Sequence, residues 1–221
     1  MGRLKGLYEK LFKKLTFEDL KDWDRIFLYA GDILHKKEYD IEGIAGLSIR
    51  RADYRTILHD ICRKYPLPDN SVDAYQAEDV FEHIDYDKLP GVINEIYRVL
   101  KPGAYFRLSV PDYGCDILRD RSTKDASGAI VFDRDGGGSY ENGQVVNGGH
   151  VWFPTYGQVR DLIQKTDFKR YEFYHYYDEN GNSVTKKIDY AKGYIQRTPD
   201  HDKRVQNPYR AMSLVVDLYK D

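Results

Sequence analysis

Between positions 76 and 83 the chain places an amide, three carboxylates and an imidazole: Gln76, Glu78, Asp79, Glu82 and His83. They follow the apolar run 72–76, which a Pro68-Asp69-Asn70 turn precedes and which reads as a buried strand. Where buried strands alternate with covering segments, ligands sit beyond the strands' carboxyl ends, and these acids fall on that rim. Three further residues have side chains suited to chemistry. Asp112 directly follows another strand-like run and either caps the next turn or meets a substrate. His150 closes a glycine-rich stretch, and a neutral imidazole there serves as a base or as a structural group. His201 lies among Arg197, Lys203, Arg204 and Arg210. That basic patch suits an acceptor carrying phosphate or an acidic sugar, or is a solvated loop balanced by Asp200 and Asp202.

Positioning these residues requires a sheet. Residues 25–30 (RIFLYA), 44–49 (IAGLSI), 56–58, 72–76 and 105–110 read as five strands in succession. Residues 89–100 form a helix whose buried face is Ile93, Ile96, Tyr97 and Leu100, ended by Lys101-Pro102-Gly103. Residues 153–168 give a second helix, and 170–177 and 213–219 two more strands. The expectation is an α/β chain with a mostly parallel, seven-stranded, Rossmann-like sheet whose last strand is antiparallel. Residues 1–24 form N-terminal helices, the first basic and amphipathic through Leu4, Leu7, Leu11, Phe12 and Leu15, the second capped by Thr16. Residues 113–150, polar and rich in glycine, form an insertion on the substrate side.

The 221 residues, 41% hydrophobic and 32% charged, are read as one soluble domain spanning 1–221. A net charge of −2 provides no general attraction to nucleic acid. No apolar run approaches the roughly 20 residues of a membrane span, and charges interrupt residues 1–14 where a signal peptide would lie. Cys62 and Cys115 alone cannot build a disulfide scaffold, which points to a reducing compartment, read as the cytoplasm.

Residues 67–112 resemble the class I S-adenosylmethionine-dependent methyltransferases, in particular the type 11 group. The resemblance rests on Pro68-Asp69-Asn70-Ser71, Asp73, Phe81-Glu82-His83, Arg98-Val99-Leu100-Lys101-Pro102-Gly103 and Val110-Pro111. It extends through Gly149-His150, Phe153 and Phe168. Gly148-Gly149-His150-Val151-Trp152-Phe153 and Thr198-Pro199-Asp200-His201-Asp202 are also similar to methyltransferase domains attached to viral and bacterial glycan-building enzymes, such as the last domain of a trifunctional chlorovirus rhamnosyltransferase. The chain departs from the family pattern twice. Its first motif offers only Tyr29-Ala30-Gly31-Asp32, and no acid ends the second strand, where Leu47-Ser48 is followed by Arg50 and Arg51.

The resemblance implies S-adenosylmethionine as cofactor and S-adenosylhomocysteine as product. Tyr29, Ala30, Gly31 and Asp32 would lie along the cofactor, as would Leu47, Ser48, Gln76, Ala77 and Glu78. Asp60 would accept from the adenine amino group and Ile61 pack on the ring. Glu78 and Asp79 would face the methionine part, and Glu82 and His83 belong to the helix start, without chemistry. Methyl transfer to a hydroxyl is in-line and needs a nearby base, for which Asp112, His150 and Asp79 are the expected residues. Tyr113, Trp152, His201 and Arg204 are the expected substrate contacts. Asp112, His150 and His201 lack fixed metal-ligand spacing, so no metal is assigned. The expected activity is O-methylation of a sugar hydroxyl, rhamnose among the options, in a glycan and in association with glycosyltransferase domains. Methylation of another small metabolite, or a non-catalytic module with a degenerate cofactor site, are the alternatives.

Overall fold

The computed structural model describes residues 13–31, 33 and 37–221. Five strands follow one another along the first half: β1 (Phe27–Ala30), β2 (Ile44–Ser48), β3 (Thr56–Leu58), β4 (Val72–Glu78) and β5 (Leu100–Pro111). All five run parallel, in the order β3-β2-β1-β4-β5. The chain then adds β10 (Arg170–Tyr177), β11 (Ser183–Thr185) and β12 (Ser213–Tyr219). β12 lies antiparallel between β5 and β10, with Val215 opposite Ser109 and Val216 opposite Phe173. The expected seven strands and the antiparallel last strand are present. An eighth, β11, extends the edge as a hairpin on β10 across a turn organised by the Asp178 carboxylate. Every residue of β1 and β2 is buried, as expected of strands covered on both faces.

One face is covered by helices. In α1 (Leu89–Val99), Leu89, Val92, Ile93, Ile96 and Val99 are buried at three- and four-residue spacing. Pro90 sits in its first turn, where a missing amide costs nothing. After β5 come α2 (Asp116–Arg121) and, beyond Pro154, α3 (Tyr156–Gln164), which buries Val159, Leu162 and Ile163. α3 is shorter at both ends than expected. Thr155 is still extended, and at the far end the Thr166 hydroxyl bonds back to the Ile163 carbonyl. α1, α3 and the sheet enclose the main core, with Tyr75, Phe81, Phe106 and Phe168 in edge-to-face and tilted contacts, while Leu118 of α2 packs in a separate cluster with Tyr113, Cys115, Val205 and Met212.

The opposite face is different. Residues 186–198 cross it as an irregular strap with a single short 3-10 turn, Tyr190–Lys192. Irregular buried backbone needs partners, and the sheet supplies them from its side chains. Gln76 donates to the Tyr194 carbonyl at 2.6 Å, Tyr105 to Lys192 at 2.7 Å, and Arg107 to Asp189 and Gly193 at 2.8 Å each. His175 meets the Lys186 carbonyl at 3.1 Å. Arg107 is also doubly bonded to Asp217 at 2.7 and 2.8 Å, both side chains fully buried.

The insertion is ordered as two small hairpins, β6 (Thr123–Lys124) with β7 (Ile130–Phe132) and β8 (Ser139–Glu141) with β9 (Gln144–Val146). Near the amino end, Thr16 donates through its amide and its hydroxyl to Asp19, whose 3-10 turn (Asp19–Asp22) stands where a second helix was expected. The basic amphipathic helix falls, up to Phe12, outside the described residues. Both cysteines are free thiols. No helix among the described residues is long and apolar enough to cross a membrane.

Candidate active site

β4 continues two residues past its expected end, so Ala77 and Glu78 are strand residues and the acids begin at its last position. Glu78 is 8% exposed and accepts from the Gln196 amide at 2.7 Å and the Tyr39 hydroxyl at 3.1 Å. Burial, with the charge of Asp79 beside it, pushes its pKa up to about 7. Asp79 then turns the chain in the left-handed region, at φ 55°, a conformation that strains a residue with a side chain. Its Oδ2 meets Arg197 Nε at 3.0 Å, while Oδ1 is buried with no partner.

The chain next makes a 3-10 turn, Phe81–His83, before α1 begins. Glu82 and His83 therefore stand apart from the helix start to which they were assigned. Glu82 is completely buried, and neither carboxylate oxygen has a hydrogen-bond partner. Burial drives its pKa well above the ordinary carboxylate range. Its Oε1 lies 3.6 Å from His150 Nε2 and 4.0 Å from His83 Nε2, and the two imidazoles meet edge to face at 4.8 Å. Asp79, three residues before Glu82 and one turn of chain away, adds its charge to the same neighbourhood.

His150 is held from behind. Its Nδ1 bonds to the Tyr113 hydroxyl, which donates to Asp133 at 2.7 Å. Burial alone would raise Asp133, but the Arg121 guanidinium and the Tyr113 hydroxyl hold it below the ordinary range. With the Tyr113 proton directed to Asp133, the phenol oxygen accepts from His150 Nδ1–H and leaves Nε2 bare. Burial lowers the His150 pKa to about 4, with the neighbouring His83 adding to the effect, so the ring is neutral at pH 7. Gly136 lies flat against this imidazole, and a Cβ there would stand 2.7 Å from the ring. The glycine run of the insertion thus closes on His150.

Tyr113 and Trp152 also line a groove of about 720 Å³, together with Arg119, Lys124, Ile130 and Phe153. The Trp152 indole donates to the Phe81 carbonyl at 2.9 Å, so its position is fixed by the turn that carries Glu82. Asp112 is fully buried, and its two oxygens accept the main-chain amides of Gly114 at 2.9 Å and Tyr177 at 2.7 Å. Of the two roles open to it, capping is the one its contacts fill. Burial raises its pKa to about 6.

The other expected cofactor residues line the carboxyl ends of β1, β2 and β3. Tyr29, Ala30 and Leu47 are buried, and Gly31 carries a φ of 114° with its amide bonded to the Leu47 carbonyl. Ser48 accepts from the Arg50 amide, and no acid stands at this end of β2. Asp60 is 43% exposed, beside buried Ile61, while Ile49 and Leu58 are largely exposed at the ends of their strands. Asp32 lies outside the described residues. This ridge fits S-adenosylmethionine in two respects. Asp60 and the exposed Ile49 would hold the adenine, and Glu78 with the partnerless oxygen of Asp79 would favour a cationic methionine end.

The basic patch does not assemble. Arg197 pairs with Asp79, Arg204 with Asp202 at 2.6 Å, and Arg210 with Asp116 at 2.9 Å. His201 bonds the Ile195 carbonyl and packs on Tyr190 and Tyr194. The set Asp112, His150 and His201 is likewise not brought together. Among the described residues, the three side chains grouped closely enough to share an ion are Glu82, His83 and His150. Their sequence signal was an adjacent Glu-His pair at a strand end combined with a distant histidine after a glycine run.

Strand order, the antiparallel strand and the ligand rim together define the architecture. It is the class I methyltransferase fold. Residues 40–108 match the family described as methyltransferase domain. A methyltransferase of Archaeoglobus fulgidus superposes with a TM-score of 0.51 at 14% identity, covering 99% of this chain and 92% of its own. One from Methanosarcina mazei gives 0.50 at 14% identity, covering 94% and 98%. One from Mesorhizobium loti gives 0.51 at 12% identity, covering 92% and 97%. All three are described as S-adenosylmethionine-dependent. The bovine (Bos taurus) tRNA N(3)-cytidine methyltransferase METTL2 is 40% identical over 60 residues, 26% of this chain. The match spans 15% of that protein's length. Residues 40–108 are thus similar to a methyltransferase domain, and the fold is the one these S-adenosylmethionine-dependent methyltransferases have.

Proposed function

We propose that the protein transfers the methyl group of S-adenosylmethionine to a hydroxyl of a sugar within a glycan. One observation carries this reading. A groove walled by Tyr113, Trp152 and Phe153 backs onto the rim that would hold the cofactor, with the Tyr113 hydroxyl bonded to His150 and the Trp152 indole bonded to the turn that carries Glu82. Aromatic walls beside polar side chains suit a carbohydrate face. A hydroxyl presented there meets groups able to take its proton.

When bound, S-adenosylmethionine supplies the methyl on a sulfonium and departs as the neutral thioether. Transfer would break the carbon–sulfur bond, its electron pair going to sulfur, as the oxygen–carbon bond forms. The hydroxyl proton passes to the Glu82–His150 pair, either directly or as the oxygen becomes positively charged. Tyr113 and Asp133 keep the His150 lone pair turned inward, and Trp152 fixes the turn bearing Glu82. The strap closes the methionine end through Gln196 and Arg197. In this reading residues 1–221 act as one unit, with 113–150 as the acceptor-side insertion.

Two measurements test it. Calorimetry with S-adenosylhomocysteine is expected to show micromolar binding, and no binding to folded protein at millimolar ligand would point to a module without cofactor. Methyl transfer from radiolabelled S-adenosylmethionine is expected onto rhamnosides or related glycosides. Transfer to an unmodified tRNA transcript and to none of the glycosides would overturn the acceptor class.

A further inference from the structure

The Glu82 cluster presents an electrostatic problem that hydrogen bonding within the protein does not solve. His83 Nδ1 lies 3.1 Å from the Gly149 carbonyl, an acceptor, so this nitrogen carries the proton and Nε2 is a bare lone pair. His150 Nδ1 is turned to the phenol oxygen of Tyr113, whose proton goes to Asp133, so its Nε2 is bare as well. Both lone pairs face a carboxylate that is 0% exposed and whose two oxygens lack partners. Three acceptors thus converge with no donor supplied by the rest of the protein, an arrangement that either a proton on Glu82 or a bound cation relieves.

We propose that Glu82, His83 and His150 form a divalent-cation site that takes the acceptor's hydroxyl oxygen on an open coordination position; with the cation bound, it is the cation that acidifies the hydroxyl in place of the Glu82–His150 pair, and the proton leaves to solvent on the exposed His83 side. The three ligand atoms lie within 4.8 Å of one another. A first-row metal with bonds of ~2.1 Å holds its ligand atoms roughly 3–3.4 Å apart, so the widest pair closes by at most roughly 1.4–1.8 Å, within reach of side-chain rotation. Two imidazoles and one carboxylate select Mn²⁺, Fe²⁺, Co²⁺ or Zn²⁺ over Mg²⁺ or Ca²⁺, and leave positions free. The far nitrogens are already oriented, by the Gly149 carbonyl and by the Tyr113–Asp133–Arg121 chain. Glu82 and His150 are buried while the His83 side chain is 33% exposed, which opens the cluster to solvent on one side. The cation itself depends only on these side chains, while its role toward the acceptor rests on the methyl-transfer reading above.

The test begins with the full chain stripped by chelator. Titration with Co²⁺, followed by its visible absorption, and calorimetry with Mn²⁺ and Zn²⁺ are expected to show one site per chain at micromolar affinity. Glu82→Gln and His83→Gln are each expected to weaken binding at least 100-fold. Tyr113→Phe, which touches no metal, is expected to weaken it about 10-fold by freeing the His150 ring. Circular dichroism and S-adenosylhomocysteine binding, unchanged in these variants, separate loss of the site from loss of the fold or of the cofactor. Should the folded wild type bind none of these ions at millimolar concentration, or bind them equally well in Glu82→Gln and His83→Gln, the site is refuted. In that case Glu82 holds a proton, and the methyl-transfer reading stands or falls on its own assay.

Discussion

Single side chains carry the sharpest expectations. Glu78 titrates near 7 in the fold against about 4.5 unfolded, so the native state binds the extra proton. Stability tied to this group is fully present below about pH 4.5 and is lost as pH rises through about 7. Glu78→Gln should therefore raise the melting temperature relative to wild type more at pH 8 than at pH 4.5, as followed by circular dichroism. Asp112 gives a second test. Because both its oxygens hold main-chain amides, Asp112→Ala should cost about 1–3 kcal/mol in urea unfolding. Asp112→Asn, which keeps one acceptor, should retain most of the turnover; a loss of several hundred-fold with normal cofactor binding would return the base role to this residue. Gly136→Val should press into the His150 ring and reduce turnover while leaving S-adenosylhomocysteine binding intact.

Elements divide into those that the sequence reveals and those that it conceals. β1 to β5, β10, β12 and α1 show themselves because burial on one or both faces imposes an apolar run or a helical period. α1 can be probed at Ile96, fully buried on that face, where Ile96→Ala should cost about 2–5 kcal/mol in chemical denaturation. β11 does not show itself, being three half-exposed residues that pair only because the Asp178 turn delivers them to β10. Glu82 and His83 were hidden differently. Their local pattern reads as a helix start, and only the return of His150, held by Gly136 and Tyr113, reveals that they converge. Arg107 and Asp217, on neighbouring strands, resemble ordinary surface charges in sequence but are fully buried. Arg107→Met should cost roughly 3–5 kcal/mol by leaving Asp217 unpaired, and adding Asp217→Leu should recover part of it.

At the scale of the molecule, the two faces of the sheet obey different rules. The helical face is held by shape, through α1, α3 and a continuous apolar core. The other face is held by address. Gln76, Tyr105, Arg107 and His175 each reach one or two particular carbonyls of the strap. A helix borrowed from another protein of this fold satisfies its own carbonyls internally and has none to offer these four side chains. The strap is therefore not an interchangeable part. Any chimera that replaces residues 186–198 must exchange the sheet residues with it, so this half of the architecture can be inherited or redesigned only as a matched set.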